Sequence, residues 1–287
     1  MIHTTIKRYH QLMKPGIIRG NLLATWAGFL LASKWHIDWK ILLGITEGTM
    51  LMIGSACVFN NYIDRGIDSK MERTKKRAIV QGVISGRAAL IYGTVLGFSS
   101  IYVLLLMVNW RAAVLGVIGW IDYVIFYSIA KRRSPLSTIV GSIAGAVPPA
   151  AGYVAVTNRF DMAAILLFVI LVFWQMPHFY AIAMARAKEY AAADLPVLPV
   201  RSGMELTQKH ILAYIVAFYG STVALFAFGY VGWWFIAAMT LCSAWWFRAG
   251  LQRLRSSSEL AWARLMFRHS LVVLAVLCLL VSLDVKR

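Results

Sequence analysis

Acidic residues are scarce in this chain. Its 287 residues include 12 Asp and Glu against 29 Lys and Arg, charges of either sign make up only 14%, and 60% of positions are hydrophobic. With a mean hydropathy of +0.68, so little charge excludes an ordinary soluble globular domain. Cysteine is nearly absent as well. Cys57, Cys242 and Cys278 fall inside apolar runs with no CxxC and no metal-ligand spacing, which excludes a zinc module or a redox pair and leaves them as small packing residues. No low-complexity segment or polar linker interrupts the chain, so residues 1–287 read as one membrane domain. A signal-peptide pattern is missing too: the first apolar run begins after Pro15 and continues into a full span, and the N-terminus reads as a cytoplasmic lead.

What the chain has instead is long apolar runs. Crossing a hydrocarbon core of about 30 Å takes about 20 helical residues, and suitable stretches lie at 15–34, 41–63, 88–108, 112–130, 136–156, 162–184, 210–229, 231–247 and 266–284. The expected class is all-α, a polytopic membrane protein of nine transmembrane helices, with the weakest divisions at 109–111 and near 230. The formal charge of +17 follows sidedness. With the N-terminus in the cytoplasm, 23 of the 29 basic residues fall on that side, in the lead and in the 64–87, 131–135, 185–209 and 248–268 segments, against six opposite. That asymmetry predicts N-in and C-out and accounts for the basic excess without nucleic acid. Trp233, Trp234, Trp245 and Trp246 lie near span ends, where such rings favour the membrane interface.

Against this background one polar run stands out, Asn60-Asn61-Tyr62-Ile63-Asp64-Arg65-Gly66-Ile67-Asp68. Steps of four advance about 40° around an α-helix and about 6 Å along it, so Asn60, Asp64 and Asp68 share a face. Oxygen ligands spaced this way suit Mg²⁺ held by one or two carboxylates and substrate phosphates. Spacing alone also fits a helix end entering a charged loop. Arg73, Lys75, Lys76 and Arg77 follow, however, and supply the cations that a metal-bridged diphosphate requires.

The 64–87 and 185–209 segments are the two long polar connections, each after an even-numbered span and four spans apart, as in two related four-helix halves. Glu189 and Asp194 open the second as Asp64 and Asp68 open the first, so two acidic helix ends can face each other across a central cavity. Read alone, Glu189 and Asp194 fit solvated loop acids equally well. Leu195-Pro196-Val197-Leu198-Pro199-Val200 cannot form continuous helix; it suits a flap that keeps water from a carbocation or a segment on the membrane surface. Tyr127 and Lys131 are one turn apart and point the same way, and Lys131 suits a phosphate binder or a snorkelling interfacial lysine. Gly141, Gly145, Ala146, Pro148 and Pro149 predict close helix approach or a widened pocket at small residues and breaks. Lys14-Pro15-Gly16, with Arg19 and Asn21, starts the first span as a basic entry with Pro in the first turn.

Ionisable groups within spans are functional candidates. Glu47 and Asp122 join no constellation and suit helix pairing or a cavity wall. His178 lies in Trp174-Gln175-Met176-Pro177-His178-Phe179-Tyr180, where Pro177 is expected to disrupt the helix and turn the imidazole toward the cavity. It suits an iron-porphyrin ligand, a hydrogen bond to a propionate or a bond to a neighbouring helix.

The run from Asn60 to Asp68 with Met71-Glu72-Arg73-Thr74 resembles the signature of the UbiA-type intramembrane prenyltransferases. The resemblance spans roughly residues 10–205 and includes Lys14-Pro15-Gly16, Lys131-Arg132, Gly145-Ala146, Pro148-Pro149, Trp174 to Phe179 and Glu189-Tyr190 to Pro199-Val200. The His178 segment and the Leu195 to Val200 loop are similar to the branch of the family that farnesylates heme. The resemblance implies a nine-helix bundle around a central cavity, open toward the cytoplasmic face of a bacterial inner membrane and capped by the two long loops. It implies Mg²⁺ as cofactor on Asn60, Asp64, Asp68 and Glu189, with Asp194 supplementing the second acidic site. Arg73, Arg77 and Lys131 would neutralise a leaving diphosphate, Lys14 and Arg132 would assist binding, Tyr127 would bond phosphate or stabilise an allylic cation, and His178 would contact heme. The family commonly has Asp where this chain has Glu189, and a small or amide residue at the place of Asp194. The implied partners are farnesyl diphosphate, heme B and the lipid bilayer, with a downstream heme-processing enzyme or terminal oxidase receiving product. A relative acting on an aromatic or quinone-precursor acceptor would share the metal site. In a transporter or an oxidase assembly factor the acids would serve as an ion or scaffold site, and a transporter would place its coupling acids and broken helices near the midplane.

Overall fold

The computed structural model describes residues 2–253 and 258–286; Arg255 and Arg287, counted among the basic residues above, lie outside them. A short leading helix, α1 (Ile2–Leu12), is followed by α2 (Pro15–Ser33), α3 (Trp39–Ile63), the single turn α4 (Arg65–Asp68) and α5 (Gly86–Met107). Next come α6 (Trp110–Ile121), a π-helical turn (Asp122–Phe126), α7 (Tyr127–Arg133), α8 (Ser137–Thr157) and α9 (Met162–Ala185). The chain ends with α10 (Ala187–Ala192), α11 (Leu198–Ser202), α12 (Met204–Ala227), α13 (Trp233–Arg253) and α14 (Glu259–Leu283). An isolated bridge, Val231 with Val285, is the one β pairing among the described residues.

Taking α6, the π-turn and α7 as one continuous rod, the long helices follow the nine expected stretches in order. Seven of them are long and apolar enough to cross a membrane. The other two are α2, which carries Arg19 and Asn21, and α13, which carries four tryptophans and Arg248. The divisions at 109–111 and near 230 are present. Asn109 makes the first, its Oδ1 accepting from the Ala112 N–H at 2.9 Å while its Nδ2 donates to the Val154 carbonyl at 3.0 Å. Gly229, with φ 79°, makes the second.

Three expectations need correction. The 248–268 segment is mostly helix, because α13 and α14 continue past the point where hydropathy falls. The 185–209 segment holds α10 and α11, with Pro199 in the first turn of α11, where its missing N–H costs nothing. Neither Pro177 nor the Pro148-Pro149 pair breaks its helix, since α9 and α8 run through them. Polar caps hold four other helix entries: Asp38, Ser85, Asp161 and Ser258 each accept from a first-turn N–H.

The helices pack as α3 on α5, α2 on α8, α8 on α9, and α9 on α12 and α14. The α2–α8 crossing is the tightest. A Cβ added to Gly28 would stand 1.9 Å from the Pro149 carbonyl oxygen, and one added to Gly152 would stand 2.0 Å from that of Thr25. Backbone therefore touches backbone from both sides, an approach only small residues allow. This contact closes one wall of a cavity bounded by α2, α3, the α6–α7 rod, α8, α9 and α14.

Candidate active site

The end of α3 supplies the site's first carboxylate. Asn60, Asp64 and Asp68 are all buried, and Asn60 Nδ2 donates to Asp64 Oδ2 at 2.8 Å, as the four-residue spacing requires. Lys14, held between α1 and α2 with φ 54°, reaches across to give Asn60 Oδ1 a hydrogen bond of 2.7 Å. From the far side of the cavity Lys131, itself 8% exposed, pairs with Asp64 Oδ2. Arg132 lies 3.7 Å from Asp64 Oδ1 and donates to the Ile63 carbonyl at 2.9 Å. Asp68 pairs with Arg77. Two buried carboxylates thus hold two of the cations expected to bind phosphate, Arg77 and Lys131.

The π-turn aims Lys131. Gly119, Tyr123, Tyr127 and Lys131 all line the cavity. On an uninterrupted α-helix Gly119 and Lys131, twelve residues apart, would stand about 120° apart; one extra residue held in the wide turn reduces that to about 20°. Asp122, buried within the turn, accepts from the Ala144 N–H of α8 at 3.1 Å and so takes a helix-pairing role. Tyr127 stacks on Tyr123 with 5.5 Å between centroids, and its ring lies against Gly141, where a Cβ would come within 2.7 Å.

The two long connections meet over this end of the cavity. Met71 and Leu195 are buried together with Ala193, and Lys70 bonds Asp194 at 3.0 Å. Arg73, Arg77 and Tyr190 line the cavity below. Burial, reinforced by Arg186 and Arg77, pushes the Arg73 guanidinium below its ordinary pKa, against the opposing pull of Tyr190 and Glu189. An anion placed there would relieve that strain on the cation.

Glu189 does not line the cavity, yet its Oε2 is buried and makes no hydrogen bond, as is also true of Asp64 Oδ1. Asp194 stands apart. Its side chain is 82% exposed, occupied by Lys70 and outside the cavity, so the structure does not bring it to the other acids. An exposed pair of this kind contributes about 1 kcal/mol or less. Asp194→Asn, which tolerates the φ of 56° at this position, is expected to leave turnover within about twofold of the parent; a larger loss in a steady-state assay would return Asp194 to the site.

The cavity measures about 610 Å³ and changes character along its length. On α3 it is lined by Ile45, Thr49, Met52, Ala56, Cys57 and Asn60, a stripe at helical spacing. From Asn60 to Ile45 that stripe is about 22 Å long at 1.5 Å per residue. It runs from the carboxylates to an apolar end walled by Leu104, Ala112 and Val147. A second wall, from α9 and α14, carries Trp174, Gln175, His178, Leu271 and Leu274. Sequence reasoning missed Tyr123, Gln175 and the α3 stripe. Tyr123 had a readable signal, standing one turn before Tyr127; Gln175 sits in an apolar run, and only the fold shows its Nε2 donating to the Ser142 and Leu171 carbonyls.

The family model for the UbiA prenyltransferase family matches residues 21–272. The chain belongs to the UbiA prenyltransferase family. Within it, the chain is 47% identical to protoheme IX farnesyltransferase 2 of Pseudomonas fluorescens, over 98% of this chain and 96% of that protein. It is 45% identical to protoheme IX farnesyltransferase of Yersinia pseudotuberculosis, over 97% and 95%. Two solved structures share the UbiA fold. A digeranylgeranylglyceryl phosphate synthase superposes with a TM-score of 0.81 at 16% identity, covering 97% of this chain and 98% of that one. A UbiA homolog from Archaeoglobus fulgidus bound to DMAPP and Mg²⁺ superposes at 0.70 and 15% identity, covering 93% and 99%. Like other members of the UbiA family, this is an all-helical integral membrane protein.

Proposed function

We propose that this chain transfers the farnesyl group of farnesyl diphosphate to a vinyl group of heme B, with addition of water, giving heme O and diphosphate. The observation that carries the reading is the polarity of the cavity: carboxylates and cations at one end, and an apolar stripe about 22 Å long leading away from them. The names of the relatives that share nearly half its residues support heme as the acceptor. By the positive-inside asymmetry, the polar end faces the cytoplasm of a bacterial inner membrane, and the C-terminus lies opposite.

The residues present fit Mg²⁺ as an incomplete ligand set. Among the described residues no three His, Cys, Asp or Glu side chains form a ready cage, but Asp64 Oδ1 and Glu189 Oε2 are buried oxygens without hydrogen bonds. That suits an ion that takes one or two carboxylates and completes its shell with substrate phosphates and water. Asp64 and Asp68 would hold it, with Asn60 assisting, and Glu189, which stands outside the cavity lining, would join them by turning inward; when bound, the ion supplies charge neutralisation to the leaving diphosphate.

Arg77 and Lys131 take up the phosphate charge as they exchange carboxylate for phosphate oxygen, and Arg73, which lines the same end of the cavity, joins them. Lys14 and Arg132 add to the same field. The bond between farnesyl C1 and oxygen breaks with its electron pair going to diphosphate, and the π electrons of the vinyl group form the new carbon–carbon bond. Water then adds to the resulting cation beside the porphyrin and releases one proton. The faces of Tyr127 and Tyr123 offer negative charge to the allylic cation, and the packed Met71–Leu195 flap limits early access of water. A vinyl acceptor has no proton to surrender before attack, so the bond-forming step asks for no general base.

Purified protein incubated with heme B, farnesyl diphosphate and Mg²⁺ should yield a more hydrophobic heme on chromatography, and chelation of the metal should abolish it. Product with a phenolic acceptor but not with heme would move the protein to another branch of the family. The apolar end also makes a prediction about chain length. Leu104, 2% exposed, closes the stripe against Gly48 and Ile45. Leu104→Ala should raise the use of geranylgeranyl diphosphate relative to farnesyl diphosphate in a competition assay, by about 4-fold if one extra methylene gains burial at about 0.8 kcal/mol and about 15-fold if two do. An unchanged ratio would place the farnesyl tail elsewhere.

A further inference from the structure

His178 and Trp174 are one turn apart on α9, and both are fastened to a single residue of α14. Trp174 Nε1 donates to the Ser270 carbonyl at 2.8 Å, and His178 Nδ1 lies 2.8 Å from Ser270 Oγ. The Ser270 hydroxyl hydrogen is already committed, because Oγ donates to the Phe267 carbonyl at 2.6 Å. A hydroxyl has one hydrogen to give, so toward His178 it acts as acceptor, and Nδ1 carries the imidazole proton. The neutral ring then has its lone pair on Nε2.

That nitrogen has no hydrogen-bond partner among the described residues, and His178 lines the cavity. The ring plane is fixed as well. Trp174 stacks on it at 4.8 Å with 24° between planes, and Phe267 packs at 4.9 Å. Orientation, tautomer and exposure to the cavity are therefore all set before any ligand arrives. A histidine that served only to join two helices would have no need of a second nitrogen left bare in a cavity of about 610 Å³.

We propose that His178 Nε2 is an axial ligand to the iron of the bound porphyrin and that Ser270 is the residue that positions it. The inference rests on the heme-farnesylating reading above and adds to it the side from which the acceptor is held. Neutral imidazole with its other N–H engaged is a strong donor to transition metals, and loss of such an outer hydrogen bond typically weakens metal affinity about 10- to 100-fold. The macrocycle would then be fixed from the α9–α14 wall, with its edge turned toward the carboxylate end where the allylic cation forms.

The test is optical and needs no turnover. Ferric heme B titrated into detergent-purified protein without farnesyl diphosphate should give the absorption spectrum of histidine-ligated iron. His178→Ala should lose that spectrum, and added imidazole should restore it. Ser270→Ala should weaken heme binding at least about tenfold while keeping the Trp174 bond, which goes to backbone; Ser270→Thr, which keeps the hydroxyl, should bind as the parent does. Variants are compared after confirming parent-like melting, and Ser270→Ala serves if His178→Ala does not fold. An unchanged spectrum in His178→Ala, or parent-like affinity in Ser270→Ala, would overturn the proposal while leaving farnesyl transfer to heme intact. Parent protein that neither binds nor farnesylates heme would instead overturn the reading on which it rests.

Discussion

Asp64→Ala is expected to lower kcat by a factor of about 1000. Asp64 is the hub of the polar end: Asn60, Lys131 and Arg132 all converge on it, and its Oδ1 accepts no hydrogen bond. Removing the carboxylate takes away the proposed metal ligand and leaves Lys131 buried without its counter-charge, a situation that costs about 3 kcal/mol or more in folded proteins. The variant should therefore melt earlier as well as turn over slowly. Asp64→Asn separates the two effects. Its carbonyl still accepts from Asn60, so stability should recover in part, while the missing charge keeps turnover low. Steady-state farnesylation and melting in the same detergent would read both, and a rate within tenfold of the parent in Asp64→Ala would end the assignment.

Gly152→Ala and Gly28→Ala are expected to destabilise the protein by about 3 kcal/mol each, at the upper end of overpacking costs. The obstacle at each site is backbone: a Cβ on Gly152 meets the Thr25 carbonyl oxygen at 2.0 Å and the Phe29 nitrogen at 3.0 Å. No rotamer change relieves such a contact, and α2 must move away from α8. Because Ala24 and Pro148 line the cavity from these two helices, the shift should also lower activity at temperatures where the protein remains folded. Melting temperature is the direct measure. A shift of less than about 2 °C, small against the few degrees that 1 kcal/mol produces in a chain of this size, would show that the helices can separate freely.

The helical order and the polar end of the site were legible in the sequence for physical reasons. A hydrophobic stretch must be helix to cross lipid, because every backbone group needs an internal partner. A four-residue acid spacing brings side chains together within one helix without reference to the rest of the fold, and Asn60 and Asp64 are indeed bonded. Meetings across the bundle were less visible. That Lys131 reaches Asp64, or that Asp194 turns outward to Lys70, depends on how loops fold and helices rotate. The apolar stripe on α3 was hidden because lipid-facing and cavity-facing residues have the same composition. Pro177 illustrates the opposite error: a local rule predicts a break, yet packing of α9 against α12 and α14 carries the helix through.

The wide turn at Asp122–Phe126 has a consequence for how this rod can change. Deleting one residue between Ile121 and Tyr127 would let the turn close into ordinary helix, with regular backbone pairing throughout. The same deletion would swing Lys131 about 100° away from Asp64. The change that most improves the helix as a helix is thus the one that disarms the site. Over these five residues foldability and reactivity pull against each other, and the length of the rod is held by the direction in which a single lysine must point.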